Sequence, residues 1–132
     1  MLPSRLLPDT CAWIDFLRGK QTPLAAALEQ SLLNSEVLTC GVVLFELLQG
    51  IKSPREETLV QNALLALSHL EMTRDLWINA GKLSSRLRAK GHILPLSDII
   101  IATCALEHSC AVLTIDRHFE SVPGLKTLKG LP

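Results

Sequence analysis

Short apolar runs alternate with longer segments of helical periodicity along this chain. Residues 5–7 (RLL) and 37–40 (VLTC) are short and aliphatic, as are 70–72, 111–115 (AVLTI) and 125–128. Each has the length and composition of a strand in a buried sheet. Between them the signals are helical. Residues 11–17 (CAWIDFL) make about two turns, closed by Gly19. Thr22 followed by Pro23 starts another helix, and Leu24, Leu28 and Leu32 give it a buried stripe at fourfold spacing. Residues 42–49 form an apolar helix that Gly50 ends. Ser53-Pro54-Arg55-Glu56 is a capping box with proline at the first helical position, predicting a helix through residue 67. A long helix covers 74–90 and stops at Gly91, and Ser97 caps a further helix over 98–108. Strands separated by helices imply right-handed crossovers. The predicted fold is therefore α/β, a three-layer sandwich around a central, mostly parallel five-stranded sheet.

Composition narrows the class. The 132 residues fit one domain that buries a core without staples. Hydrophobic residues make up 48% and aromatics only 4%, so that core is aliphatic. No run reaches the length of a membrane span, and MLPSRLLPD lacks the basic head and long apolar stretch of a signal peptide. The expectation is a cytosolic protein with no membrane role. Cys11, Cys40, Cys104 and Cys110 show no CxxC pairing or ligand-like spacing and read as reduced core thiols. Basic and acidic residues number 13 each, for a formal net charge of zero. That excludes a protein that coats nucleic acid through bulk charge, yet it leaves room for an acidic pocket with a basic rim.

Four acids stand out by context. Asp9 follows the first strand, Asp116 ends the strand AVLTI, Glu46 sits inside VVLFELLQG, and Asp98 opens the very apolar SDIIIATCAL. The carboxyl ends of parallel strands share one rim, which is where ligands bind. Two acids at strand ends and two from core helices can converge there. Buried carboxylates are rarely left without partners, and close ones raise each other's pKa. A hard cation such as Mg²⁺ or Mn²⁺ offsets that repulsion, and it can activate water against a phosphodiester. Taken singly, three of the acids have plainer roles: Asp9 as a helix cap, Asp98 as a first-turn partner of the helix dipole, Asp116 as a turn starter. Glu46 has no such role.

The segments LLPDTCAWIDFLRG, VVLFELLQG, GHILPLSDIIIATCAL and AVLTIDRHF, in this order and spacing, resemble the PIN-domain ribonucleases, specifically the VapC toxins of toxin–antitoxin pairs. The resemblance covers residues 5 to 128. It implies a metal-dependent endoribonuclease in which Asp9, Glu46, Asp98 and Asp116 hold Mg²⁺ or Mn²⁺, supported by Thr10, Ser97 and Thr114. It also implies a tRNA or ribosomal RNA substrate, a VapB-type antitoxin docked along the helices so as to block the pocket, and a homodimer to which the helix beginning at Pro54 contributes. Thr114 and Asp116 would share one face of their strand, so the hydroxyl can orient a carboxylate or a water. The chain departs from the family pattern twice. Pro8 stands where an aliphatic residue is usual, tolerable because the strand is ending. His118 stands where many relatives carry a further aspartate, giving D-R-H-F, and becomes a candidate contact for phosphate or water.

Other residues have competing readings. Arg86, Arg88 and Lys90, with His92, form the densest basic stretch, either a solvated helix face or a candidate RNA contact. Asp15 and Arg18 are one turn apart, as a surface pair or at the site's rim. Trp13 and Trp77 read as packing anchors. Two rival functions are a non-catalytic module on the same fold and a metal-dependent phosphatase. The retained acids argue against the first, and DTC offers only one acid after the first strand, against the second.

Overall fold

The computed structural model describes residues 1–132. In chain order they form β1 (Arg5–Pro8), α1 (Thr10–Leu17), α2 (Pro23–Asn34), β2 (Glu36–Cys40), α3 (Gly41–Gln49) and α4 (Pro54–Leu65). There follow β3 (Ser68–Leu70), α5 (Arg74–Ala89), α6 (Leu96–Glu107), β4 (Ala111–Leu113), a 3₁₀ turn (Arg117–Ser121) and β5 (Thr127–Leu128). All strand pairs are parallel, and the sheet order is β3-β2-β1-β4-β5. The chain builds outward from β1 to one edge, then returns past β1 to add β4 and β5 on the other side. Crossovers between parallel strands are right-handed in nearly all such sheets, which places helices on both faces. The reversal opens a crevice at the carboxyl ends of β1 and β4, the usual ligand position in such sheets.

The helix starts follow the sequence signals. Thr22 Oγ1 accepts from the Ala25 N–H at 3.1 Å with Pro23 in the first turn of α2. Ser53 Oγ accepts from the Glu56 N–H at 3.2 Å, while Glu56 Oε2 reaches back to the Lys52 N–H at 2.8 Å. Thr73 caps α5 through the Leu76 N–H at 3.2 Å. Gly91 takes φ +87° just past α5, where a side chain would be strained. β1 carries Pro8 at its last position, paired with Leu113, and the ladder continues through the Asp9 N–H to the Leu113 carbonyl at 2.9 Å. The missing proline donor therefore costs one rung at most.

The core is aliphatic. Leu6, Leu7, Leu38, Val112 and Leu113 from the strands pack with Leu28, Val43, Leu87 and Ile101. Residues Asp98 to Ala105 of α6 are all buried, so this helix crosses the interior with no solvent face along that stretch. No helix is long and apolar enough to cross a membrane.

The structure differs from the sequence reading in several places. Leu32 is 37% exposed, and the buried face of α2 uses Leu24, Ala27, Leu28 and Ser31 instead. A strict fourfold repeat drifts around a helix of 3.6 residues per turn, which carries the third leucine outward. β3 occupies Ser68–Leu70, two residues before the expected strand, and α4 ends at Leu65. Ser97 does not cap α6. Pro95 holds that position with φ −58°, preset for helix entry, and its carbonyl accepts the Ile99 N–H at 3.1 Å, leaving Ser97 inside the first turn. β4 stops at Leu113, the Thr114 N–H still donates to the Leu128 carbonyl at 2.9 Å, and Ile115, expected to end the strand, is exposed.

Candidate active site

The carboxyl-end crevice is built by short-range bonds between four elements. Asp9 lies one residue past β1 and caps α1, its Oδ1 accepting the Thr10 N–H at 2.8 Å. Its other oxygen accepts the Thr114 hydroxyl at 2.9 Å. Thr114 is 1% exposed, and the same hydroxyl accepts the Asp116 N–H at 2.9 Å. One buried oxygen thus fixes the Asp9 carboxylate and the backbone of Asp116. This refines the expectation that Thr114 would act by sharing a strand face with Asp116.

Asp116 caps the 3₁₀ turn, its Oδ1 accepting the His118 N–H at 2.9 Å. That turn swings the His118 ring back over the crevice. His118 Nδ1 stands 2.8 Å from Asp98 Oδ2 and 3.2 Å from Asp116 Oδ1. Asp98, itself buried, arrives from the first turn of α6. From α3, Glu46 presents Oε1 to the Thr10 hydroxyl, which donates at 2.7 Å. Its chain neighbours are apolar, but its carboxylate turns to α1 rather than into the core.

Electrostatics records the crowding. Burial pushes the Asp9 carboxyl above the ordinary aspartate range, the Thr114 and Thr10 bonds pull it back, and Asp98 and Glu46 push it further up. Asp98 is raised by burial first and by Asp116 and Glu46, against the His118 bond. His118 is raised mainly by its bond to Asp98, with both acids adding to the effect. The plainer roles of three acids are therefore real: Asp9 and Asp116 cap, and Asp98 sits in a first turn. Capping explains where each lies in its element. It does not explain why Asp9 and Asp98 both lie within the field of Glu46 while Asp98 and Asp116 meet at His118. Donor atoms of Asp98, Asp116 and His118 lie within 4.8 Å of one another.

Sequence reasoning missed one neighbour of this site. Cys11 was grouped with the core thiols, and Cys40, Cys104 and Cys110 are indeed buried and free. Cys11 is only partly buried, its Sγ 3.7 Å from Asp9 Oδ2 and 3.8 Å from Thr114 Oγ1. Position two after the first acid was the available signal. The Asp15–Arg18 pair does not form: Asp15 accepts the Thr22 hydroxyl at 2.8 Å and faces Lys20 at 3.9 Å. Arg18 instead lines an apolar groove with Glu46, Ile14, Leu17, Leu47, Ile51, Leu59 and Val60. Trp13 is buried against Phe16 edge to face, whereas Trp77 is 48% exposed and is no core anchor. Arg86 and Arg88 fall in the last turn of α5 with Lys90 just past it, all exposed. Arg88 shares a surface groove with Leu96 and Ile99, which flank Asp98 on α6.

The comparisons with known proteins agree with this architecture. The family model described as "PIN domain" matches residues 6–125. The chain is 32% identical over 123 residues to ribonuclease VapC19 of Mycobacterium tuberculosis, covering 91% of this chain and 96% of that one. Among solved structures it is similar to VapBC2 from Rickettsia felis bound to a DNA fragment from its promoter. There the TM-score is 0.80 at 20% identity, over 94% of this chain and 97% of that one. It is also similar to the sarcin-ricin loop cleaving toxin VapC20 of Mycobacterium tuberculosis. That match has a TM-score of 0.69 at 17% identity, over 89% and 95% of the two chains.

Proposed function

The chain belongs to the PIN-domain family, and from that premise we propose that it is an endoribonuclease toxin that uses Mg²⁺ or Mn²⁺ at the rim formed by Asp9, Glu46, Asp98 and Asp116. The observation that carries this reading is the convergence of four carboxylates, two of them buried, on the carboxyl ends of β1 and β4. Carboxylate oxygens suit a hard cation, and those of Asp98 and Asp116 lie close enough to share an ion. A bound ion would neutralise charge developing on a phosphodiester and make water a competent nucleophile near neutral pH. The chain's own residues do the positioning. Thr114 locks the Asp9 oxygen, Thr10 locks one Glu46 oxygen, and the cap on the 3₁₀ turn fixes Asp116. In the hydrolysis itself, the water oxygen bonds to phosphorus, the bridging P–O bond breaks, and the departing oxygen takes up a proton. Ser97, half-buried in the first turn of α6 beside Asp98, is a supporting residue at most.

Substrate and partners follow from the same family membership. The substrate is a structured RNA, tRNA or ribosomal RNA, approached across Arg86, Arg88 and Lys90, whose helix end adjoins the helix carrying Asp98. A VapB-type antitoxin would lay an apolar helix in the groove between α1, α3 and α4, which runs up to Glu46 and so leads to the acids. Leu65 of α4 lies outside that groove, is exposed, and supports a homodimer contact on that helix. The test is sequencing of RNA 5′ ends after induction in cells, beside the Asp98→Asn variant. New ends at discrete sites in a stable RNA, absent with the variant, are expected. Identical end profiles from both proteins would sink the ribonuclease reading.

A further inference from the structure

His118 is the rim side chain that the hydrolytic reading leaves without a task. Its Nδ1 stands 2.8 Å from Asp98 Oδ2 and 3.2 Å from Asp116 Oδ1. Around an octahedral ion with bonds of roughly 2.1 Å, neighbouring donors are separated by roughly 3 Å and opposite donors by roughly 4.2 Å. Both separations match neighbouring positions, and the whole trio falls within 4.8 Å. The ring is half exposed and is held through Nδ1 alone. Its backbone N–H is bonded to Asp116 Oδ1, so the residue is tied to one of the acids whose ion it would share.

Resting on the metal-site reading above, we propose that His118 is itself a metal ligand, completing with Asp98 and Asp116 a set of two carboxylates and one imidazole, and that this set favours Mn²⁺ over Mg²⁺. Mg²⁺ is a hard ion that seeks oxygen and keeps its waters, whereas an imidazole nitrogen suits first-row transition ions. A carboxylate at position 118 would keep the set all-oxygen; an imidazole there moves it toward the transition ions. The opposing arrangement is an imidazole that only hydrogen-bonds the two acids. In that case it stands in the ion's place, and its removal would tighten metal binding.

The experiment titrates the full-length metal-free protein with Mn²⁺ and with Mg²⁺ by calorimetry, and records pulsed EPR of the Mn²⁺-loaded protein. Mn²⁺ binds more tightly than Mg²⁺ in the wild type, and its spectrum carries nitrogen coupling from a directly bound imidazole. His118→Ala weakens Mn²⁺ binding and removes that coupling. His118→Asp restores binding but narrows the Mn²⁺ to Mg²⁺ ratio. Mn²⁺ binding without nitrogen coupling, or a His118→Ala variant that binds Mn²⁺ more tightly, overturns the ligand assignment and leaves the carboxylate site standing. A wild type that binds neither ion overturns both.

Discussion

At the amino end of the sheet, Arg5 bonds Glu36 across the β1–β2 register at 2.7 Å and donates to the His108 carbonyl at 2.7 Å. At the carboxyl end, Asp9, Glu46, Asp98 and Asp116 share a rim where His118 is the only basic group within ion-pair distance of any of them. The same strands thus begin in matched charge and end in unmatched charge. A surface selected only for stability has no reason to gather four acids, because like charges and burial both destabilise the ionised form. The contrast teaches that charge at the amino end is paired across neighbouring strands, while the carboxyl end gathers acids with one imidazole between them.

The largest expected effect separates the two ends by function. Asp9→Asn or Asp98→Asn should cut RNA cleavage by orders of magnitude in a single-turnover assay, whereas Arg5→Ala should leave it unchanged. Equal losses from both ends would erase the distinction. Next comes Thr114→Val, which removes the hydroxyl that holds Asp9 and leaves the Asp116 N–H without its partner. It should lower stability by about 1–3 kcal/mol in denaturant unfolding and also slow cleavage, coupling fold and site at one buried atom. A variant that loses stability but cleaves normally would make Thr114 a structural residue alone.

A third expectation concerns pH in the metal-free protein. Asp9 and Asp98 have folded-state pKa values raised above their unfolded ones, as does His118. Each then binds more protons when folded, so its contribution is fully present below the unfolded pKa and is lost as pH rises through the folded pKa. Melting temperature should accordingly rise as pH falls from above neutrality toward the ordinary aspartate range. The Asp98→Asn variant should flatten that slope and be the more stable protein near pH 7. An unchanged slope in the variant would show that the rim is not the source. The smallest effect is expected from Arg86→Ala and Lys90→Ala. If each touches a backbone phosphate, the dependence of log affinity on log salt flattens by a little under one unit per contact. Binding would be measured in Ca²⁺, and an unaltered salt slope would reduce the stretch to a solvated helix face.

Much of the scaffold was legible because its signals are local. Thr22-Pro23, Ser53-Pro54 and Gly91 each fix a helix boundary through a cap or a positive φ within a few residues. The all-parallel sheet followed from the alternation of strands and helices. What escaped depends on contacts distant in sequence. Nothing near position 118 announces that its ring meets Asp98, twenty residues back, because a turn capped by Asp116 creates the meeting. Cys11 likewise looks like a core residue until Thr114, distant in sequence but just past the neighbouring strand β4, comes beside it. Ser97 misled in the opposite sense: Ser before Asp resembles a cap, yet Pro95 already supplies the entry geometry. The acids could be picked out as a group because their contexts were odd one by one, whereas the bonds that arm them could not.

The central claim is that the carboxyl-end rim is a metal site, and metal-dependent melting of the full-length protein tests it most directly. A ligand that binds only the folded state stabilises it by about 2.7 kcal/mol at a hundred times its Kd. The melting temperature of the wild type should climb with added Mn²⁺, and Asp98→Asn should lose that climb while starting from a higher metal-free value. A wild type whose melting temperature ignores Mn²⁺ and Mg²⁺ alike, or an Asp98→Asn variant that responds as the wild type does, would contradict the account.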